Sequence, residues 1–180
     1  MNPILDTLMN AAGGKAVQQV GQRFGMSEDQ VGSVMGQLVP ALLAGLQRNT
    51  AQQGGMDALL GALNTGDHGQ YLDKPELLAQ ESTTEDGNSI LGHIFGSKDV
   101  SRAVAARAAE QTGIGADVLK KMLPVVATMV MGSLSKQSTM VPAQGSPAEG
   151  ASLIGSLLDQ NRSGSMADEV AGLLGRLLGR

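Results

Sequence analysis

The chain has 180 residues and a formal net charge of −4, and it contains no cysteine. The missing cysteines exclude disulfides, thiolate metal sites and a lipoprotein anchor. The acidic balance argues against a general affinity for nucleic acid or for anionic membranes. No basic start followed by an apolar stretch is visible at the amino terminus, so we expect a cytoplasmic protein without a secretory signal.

Small and adaptable apolar residues dominate the composition. Aromatic residues make up 2% of the chain, which holds 25 glycines and 10 methionines. This predicts a core of Leu, Val, Ala and Met, with glycine where helices touch. The periodic segments all have helical spacing and none alternates like a strand, which predicts an all-α, multi-helical domain. The first predicted element is a short apolar helix over Ile4–Met9.

A helical hairpin is predicted next. A helix over Lys15–Phe24 is ended by Gly25, which supplies the left-handed residue. Ser27 and Gln30 then form a capping box at the start of another helix. That helix carries apolar residues inward until it meets Pro40, where the missing backbone N–H predicts a kink or a break.

The same pattern returns later in the chain. An Ala-rich helix over Arg102–Thr112 is followed by Gly113, which matches Gly25 of the first hairpin. An apolar helix with Pro124 then parallels the helix with Pro40. Two such units of about thirty residues predict an internal duplication, with two similar helical hairpins in one core.

Between the hairpins the sequence predicts a Leu-rich helix over Met56–Asn64 and an acidic stretch over Asp67–Asp86. Lys74 is the single basic residue against six acidic ones in that stretch. The simpler interpretation is a solvated loop with a half-helix started by Pro75. The alternative is a contact surface for a basic partner.

The run Asp86–Gly96 is predicted to be the element around which the chain is organised. Its first residues favour a turn or a helix start, and Gly92 and Gly96 have the spacing that lets another backbone approach a helix. The expected structure is a short, buried central helix that both hairpins contact. On it, His93 is expected to be a largely buried, hydrogen-bonded core residue.

Domain boundaries follow from composition. Residues 1–134 are predicted to form the all-α domain, 135–150 a flexible Ser/Gln/Pro/Gly-rich linker, and 151–180 a helix-turn-helix appendage. The last helix carries a stripe of large apolar residues at helical spacing, which predicts an interaction surface. We call this set the tail stripe; its members are Val170, Leu173, Leu174, Leu177 and Leu178.

Several of these features together resemble one family. The run Asp86–Gly96, the Gly-Met and Gly-Ile turns, the Leu/Val-Pro helices and the tail from Leu157 onward are similar to the YidB-like family of bacterial proteins (DUF937). The resemblance covers nearly the whole chain. It implies a bacterial, all-helical protein of unknown function, with no catalytic residues to assign.

Two binding hypotheses were suggested by spacing. Ala16–Val34 has the outline of a DNA-reading helix-turn-helix, but its second helix would present Glu28 and Asp29 to phosphates, so we expect no nucleic-acid partner. The polar loop 159–170 has EF-hand-like spacing but lacks the Glu at its last position, so it predicts at most a weak calcium site; the simpler interpretation is a polar turn. The weak candidate ligands are Asp159, Asn161, Ser163 and Ser165.

No catalytic or cofactor site is predicted. Neither His68 nor His93 has a partner at metal-ligand spacing, and no nucleophile or phosphate-binding motif is present. We therefore expect a non-enzymatic interaction or structural module without cofactor, which self-associates or binds a protein through Gly/Ala/Met-lined helices and the tail stripe. Membrane contact is not expected, because the last helix lacks a basic face. The competing hypothesis is a calcium- or ligand-responsive regulator that uses the 159–170 loop.

Overall fold

A computed structural model describes residues 3–139 and 155–156, and within them the fold is entirely helical, as expected from the sequence. Residues 3–139 contain eight α-helices and two 3-10 segments. The α-helices are α1 (Pro3–Asn10), α2 (Lys15–Phe24), α3 (Glu28–Thr50), α4 (Gly55–Thr65), α5 (Gln70–Asp73), α6 (Glu81–Phe95), α7 (Lys98–Thr112) and α8 (Ala116–Thr139). The 3-10 segments are Ala11–Gly14 and Pro75–Ala79.

Helix α8 is the centre of the described fold. It contacts each of the seven other helices, and residues 122–135 are all buried. The hydroxyl of Thr128, which lies in this buried stretch, donates to the Val125 carbonyl at 2.7 Å, so the polar group is satisfied within the helix. Helix α6, which holds the run Asp86–Gly96, contacts α3, α7 and α8, but it is exposed along one face, so the expected buried central position belongs instead to α8, whose residues 122–135 are buried on all sides.

Helix α6 contains the predicted central run but begins earlier, at Glu81. The expected turn or helix start at Asp86 is thus the middle of a helix. Helix α6 approaches α8 closely at Gly87. An added Cβ at this position would lie 2.7 Å from Pro124 Cα and closer still to the Pro124 carbonyl oxygen. Gly92 has no neighbour within 4 Å of such a Cβ, so the predicted contact at Gly92 is also wrong.

The glycine turns predicted for both hairpins and the capping box predicted for the first are present. Helices α2 and α7 each end at a left-handed glycine, Gly25 with φ 66° and Gly113 with φ 71°. At the start of α3 the backbone N–H of Gln30 donates to the Ser27 hydroxyl at 3.3 Å, and the Ser27 N–H donates back to the Gln30 side chain at 3.0 Å. The predicted capping box is confirmed.

Both interior prolines lie in continuous helices. Helix α3 runs through Pro40 and α8 runs through Pro124, so the predicted breaks are absent. Proline inside a helix costs about 3 kcal/mol or more. Fully buried residues flank both sites, such as Val39 and Leu42 in α3, and packing of this kind overrides local propensity.

The acidic stretch is not a loop. It contains α5, the 3-10 segment that Pro75 begins as expected, and the first turns of α6. Tyr71, Leu72 and Leu78 within it are buried, although all six acidic residues are exposed. The guanidinium of Arg23 on α2 ties this region down, because it donates to the Leu78 carbonyl and, at 2.7 Å, to the Thr84 hydroxyl.

Helix α8 also bears on membrane contact and on the domain boundary. Within the described residues, Ala116–Gln137 is the one span long and apolar enough to cross a bilayer. Of its apolar 18-residue stretch, 78% is buried inside the protein, as in the core helix of a globular fold. The helix continues to Thr139, past the predicted boundary at residue 134. Most of the predicted linker and appendage lies outside the described residues.

Candidate functional site

A pocket of about 320 Å³ lies where α3, α4, α6 and α8 meet. We call it the α4 pocket. Its wall is apolar toward the core and polar at the mouth. The apolar lining residues are Leu46, Ala58, Leu59, Ala62, Ile90, Ile94 and Met131, and the polar ones at the mouth are Asn49, Gln52, Gln53 and His93. The volume is within the range of pockets that bind small ligands or anchor side chains.

The turn between α3 and α4 shapes this pocket. Gly54 takes φ 79°, a left-handed conformation that favours glycine, and α4 starts immediately afterwards. At Gly55 an added Cβ would lie 2.8 Å from the Asn49 carbonyl carbon, so the backbones touch there. The two glycines fold α4 back beside the end of α3, which leaves the pocket beneath the helix.

His93 stands at the pocket mouth and is exposed. The expectation of a largely buried His93 is therefore wrong. The side chain of Asn49 donates to the His93 backbone carbonyl at 2.7 Å, which ties the end of α3 to α6. Because α6 presents Ile90 and Ile94 to the core, the neighbouring position 93 turns toward solvent.

The electrostatics of the α4 pocket favour an uncharged or apolar occupant. None of its lining residues is Asp, Glu, Lys or Arg, and His93 is the one titratable group among them. An apolar surface without charge binds apolar side chains well, because little desolvation of ions opposes the contact. The pocket thus provides binding surface and lacks a pair of groups that could exchange protons.

A second cluster joins His68 to Tyr71 and Asp86. The Tyr71 hydroxyl donates to the Asp86 carboxylate, and the rings of His68 and Tyr71 stack with centroids 6.4 Å apart. Burial, with help from the hydrogen bond to Asp86, raises the pKa of Tyr71 to about 12. Burial lowers the pKa of His68, while the charges of Asp86 and Asp67 oppose that shift. The backbone of His68 packs against α8, where a Cβ at Gly132 would lie 2.5 Å from the His68 carbonyl oxygen, while its ring lies against Gly66, where an added Cβ would be 2.5 Å from the ring carbon Cδ2.

The His68 environment predicts an acid-sensitive stability. The folded-state pKa lies below the ordinary 6.5, so the unfolded chain takes up a proton more readily. Stability is then fully present above pH 6.5 and is lost as the pH falls toward the folded pKa. In urea unfolding between about pH 7.5 and about pH 5.5, either side of the ordinary histidine pKa, His68→Asn should lose less stability than the wild type. A second uncharged variant, His68→Gln, should show the same reduced slope; slopes equal to the wild type's for both variants would contradict the account.

Most residues singled out in the sequence lie outside the described part of the structure. These are the weak calcium candidates Asp159, Asn161, Ser163 and Ser165, and the tail stripe residues Val170, Leu173, Leu174, Leu177 and Leu178. In residues 3–139, no group of three or more His, Asp or Glu side chains is placed to hold a metal ion. Glu28 and Asp29 are exposed at the start of α3, so their carboxylates stand where a DNA-reading helix would meet phosphates.

The α4 pocket itself was missed in the sequence. Its walls come from four helices that are far apart in the chain, so no local spacing indicates it. One signal was available: Gly54-Gly55 between two apolar helices marks a tight reversal that brings the two helices together. The His68–Tyr71–Asp86 cluster was missed because the acidic stretch was interpreted as a loop.

Comparison with known proteins places the chain in a family without assigning an activity. No curated protein and no solved structure matches the chain significantly. A family model described as a bacterial protein of unknown function matches residues 6–137, from within α1 to the last turn of α8. The chain therefore belongs to the DUF937 family of bacterial proteins of unknown function.

Proposed function

We propose that this protein is a non-enzymatic interaction module that self-associates through its tail stripe. One observation carries the proposal. Among the described residues, Val100 is the one large apolar side chain that is exposed, at 41%. The tail stripe, with five large apolar residues, therefore contrasts with the described surface, and a stripe of this kind marks an interaction site.

The energetics of the tail stripe support an assembly role. Each of its five residues contributes roughly 1.5–3 kcal/mol when fully buried. Gly172, Gly175 and Gly179 weaken the last helix in isolation, and a helix of this length is marginal in water. The stripe thus has the apolar area to drive association, and its helix is marginal without a partner surface.

The helical domain contributes less to the proposed self-association than its composition suggests. The methionines Met35, Met122 and Met129 are buried in its core, so they do not line a binding surface. The exposed face of α7 does carry small residues, with Ala103 and Ala106 near Val100. We assign this face a secondary contact and give the tail stripe the main one.

We also infer that α2–α3 and α7–α8 are copies of one hairpin. Each pair has a left-handed glycine between its helices and one proline inside the second helix. Duplication of a hairpin supplies a pseudo-symmetric scaffold, and such scaffolds present similar helix faces on two sides. This supports a structural role for the domain, with the tail as the attachment.

The tail stripe predicts a change in solution mass when it is disrupted. Leu174→Asp combined with Leu177→Asp should shift the full-length protein toward the monomer, because two buried leucines become charged. The matched control is Gly172→Asp combined with Gly179→Asp, which adds the same charge to the face opposite the stripe and should leave the mass unchanged. Light scattering after size exclusion measures both. An unaltered mass for the double leucine variant would exclude tail-driven assembly.

A further inference from the structure

The α4 pocket has the chemistry that the tail stripe requires. Most of the core is completely buried, but Leu59, Ile90 and Ile94 in the pocket keep 5%, 7% and 5% of their surface exposed. The space they face is apolar and lined by no charged side chain. A pocket of this kind holds branched apolar side chains projecting from one face of a helix.

The rest of the described surface exposes little apolar area that could receive the tail stripe. Val100, on α7, is the one large apolar residue exposed in residues 3–139, and it does not line the pocket. A stripe with Val at i and Leu at i+3, i+4, i+7 and i+8 needs a concave apolar receptor rather than a single protruding side chain. The α4 pocket supplies this shape on the described part of the protein.

The length of chain beyond α8 permits the contact. Met131 lines the pocket, and α8 ends at Thr139, only two helical turns further on. About thirty residues separate Thr139 from Val170, and Gly155 and Ser156 among them are helical. A coil of about eleven residues, the length of 140–150 alone, spans about 18 Å root-mean-square, and the residues after it extend the reach. A helical domain of this size has a radius of gyration of about 14 Å. The stripe can therefore reach an α4 pocket on its own domain or on a neighbouring copy.

We propose that the α4 pocket is the docking site of the tail stripe. The inference rests on the proposed function, in which the stripe comes from a second copy of the chain. Leu173, Leu174 and Leu177 enter the pocket beneath α4, while the amide side chains at its mouth remain beside the solvent-facing edge of the tail helix. Arg176 and Arg180 then stay outside the apolar lining.

The absence of natural cysteine allows a direct test by disulfide trapping in the full-length chain. One variant carries Gln53→Cys at the pocket mouth, and a second carries Ala171→Cys at the edge of the stripe. Mixed under mild oxidation, the two should form a disulfide-linked heterodimer at least about tenfold faster than a random encounter, because docking raises the effective concentration. The control pair replaces Gln53→Cys by Gln22→Cys, an exposed position on α2 that does not line the pocket, and should react slowly.

The outcomes separate this inference from the proposed function. Equal rates for the Gln53→Cys and Gln22→Cys pairs would overturn the pocket as the docking site, whatever the solution mass. A rapid disulfide only within a chain that carries both Gln53→Cys and Ala171→Cys would support the pocket but contradict self-association. Adding Leu174→Asp to the Ala171→Cys variant should abolish the fast reaction, and its persistence would overturn docking through the stripe.

Discussion

Gly87→Ala is expected to lower the free energy of unfolding by about 1–3 kcal/mol, the usual cost of overpacking a close contact. An added Cβ at this position would lie 2.7 Å from Pro124 Cα, against the backbone of the central helix α8. Backbone cannot rotate away as a side chain can, so α6 and α8 must move apart. Urea unfolding followed by circular dichroism measures the change.

The same helix supplies a control of opposite sign. At Gly92 an added Cβ has nothing within 4 Å, and the residue is exposed. Gly92→Ala should therefore raise stability by about 0.5–1 kcal/mol, the gain from replacing glycine in a helix interior. If Gly87→Ala were as stabilising as Gly92→Ala, α6 would not approach α8 in the way described.

Leu38→Ala is expected to lower the free energy of unfolding by about 2–5 kcal/mol, the range for removing a buried leucine. Leu38 lies in α3 and is 0% exposed. The loss combines the transfer energy of the deleted atoms with the cavity that the rigid neighbours leave behind. Chemical unfolding with an unchanged dependence on urea concentration would assign the loss to the folded state.

The matched variant is Leu38→Met, which conserves volume. It should cost less than about 1.5 kcal/mol, because a flexible thioether fills nearly the same space. The gap between the alanine and methionine variants therefore measures how tightly the core packs around α3. Equal losses for the two variants would contradict a close-packed core at this position.

Local structure was largely predictable from the sequence. The bounds of α2 matched the predicted Lys15–Phe24, and the left-handed glycines at Gly25 and Gly113 and the capping box at Ser27 were all recognised. These features depend on residues within one or two turns of each other. Hydrogen bonds and backbone conformations over that distance follow from residue type alone.

Features that depend on tertiary packing were not predictable in the same way. Helix α8 lies at the centre of the described fold, and its packing against the other helices keeps it continuous through Pro124. The exposure of His93 follows from which face α6 presents to α8 and α3, which periodicity over a short run cannot decide. The small-residue spacing Gly92-x-x-x-Gly96 was a misleading signal, because the contact uses Gly87 instead.

The two parts of the candidate site, the tail stripe and the α4 pocket, differ in the same way in how far the sequence predicts them. The tail stripe is a one-dimensional pattern, so the sequence alone predicts it. The α4 pocket depends on Leu46, Leu59, Ile90 and Met131, which come from four separate helices and meet only after folding. Its recognition therefore required the three-dimensional arrangement, and so did the stacking of His68 on Tyr71.

Sedimentation equilibrium of the full-length wild-type protein over a range of concentrations tests the central claim most directly. The monomer has a mass of 18.4 kDa. Self-association through the tail stripe predicts a mass that rises above this value with concentration and reaches at least that of a dimer. A mass of 18.4 kDa at every concentration would contradict the claim.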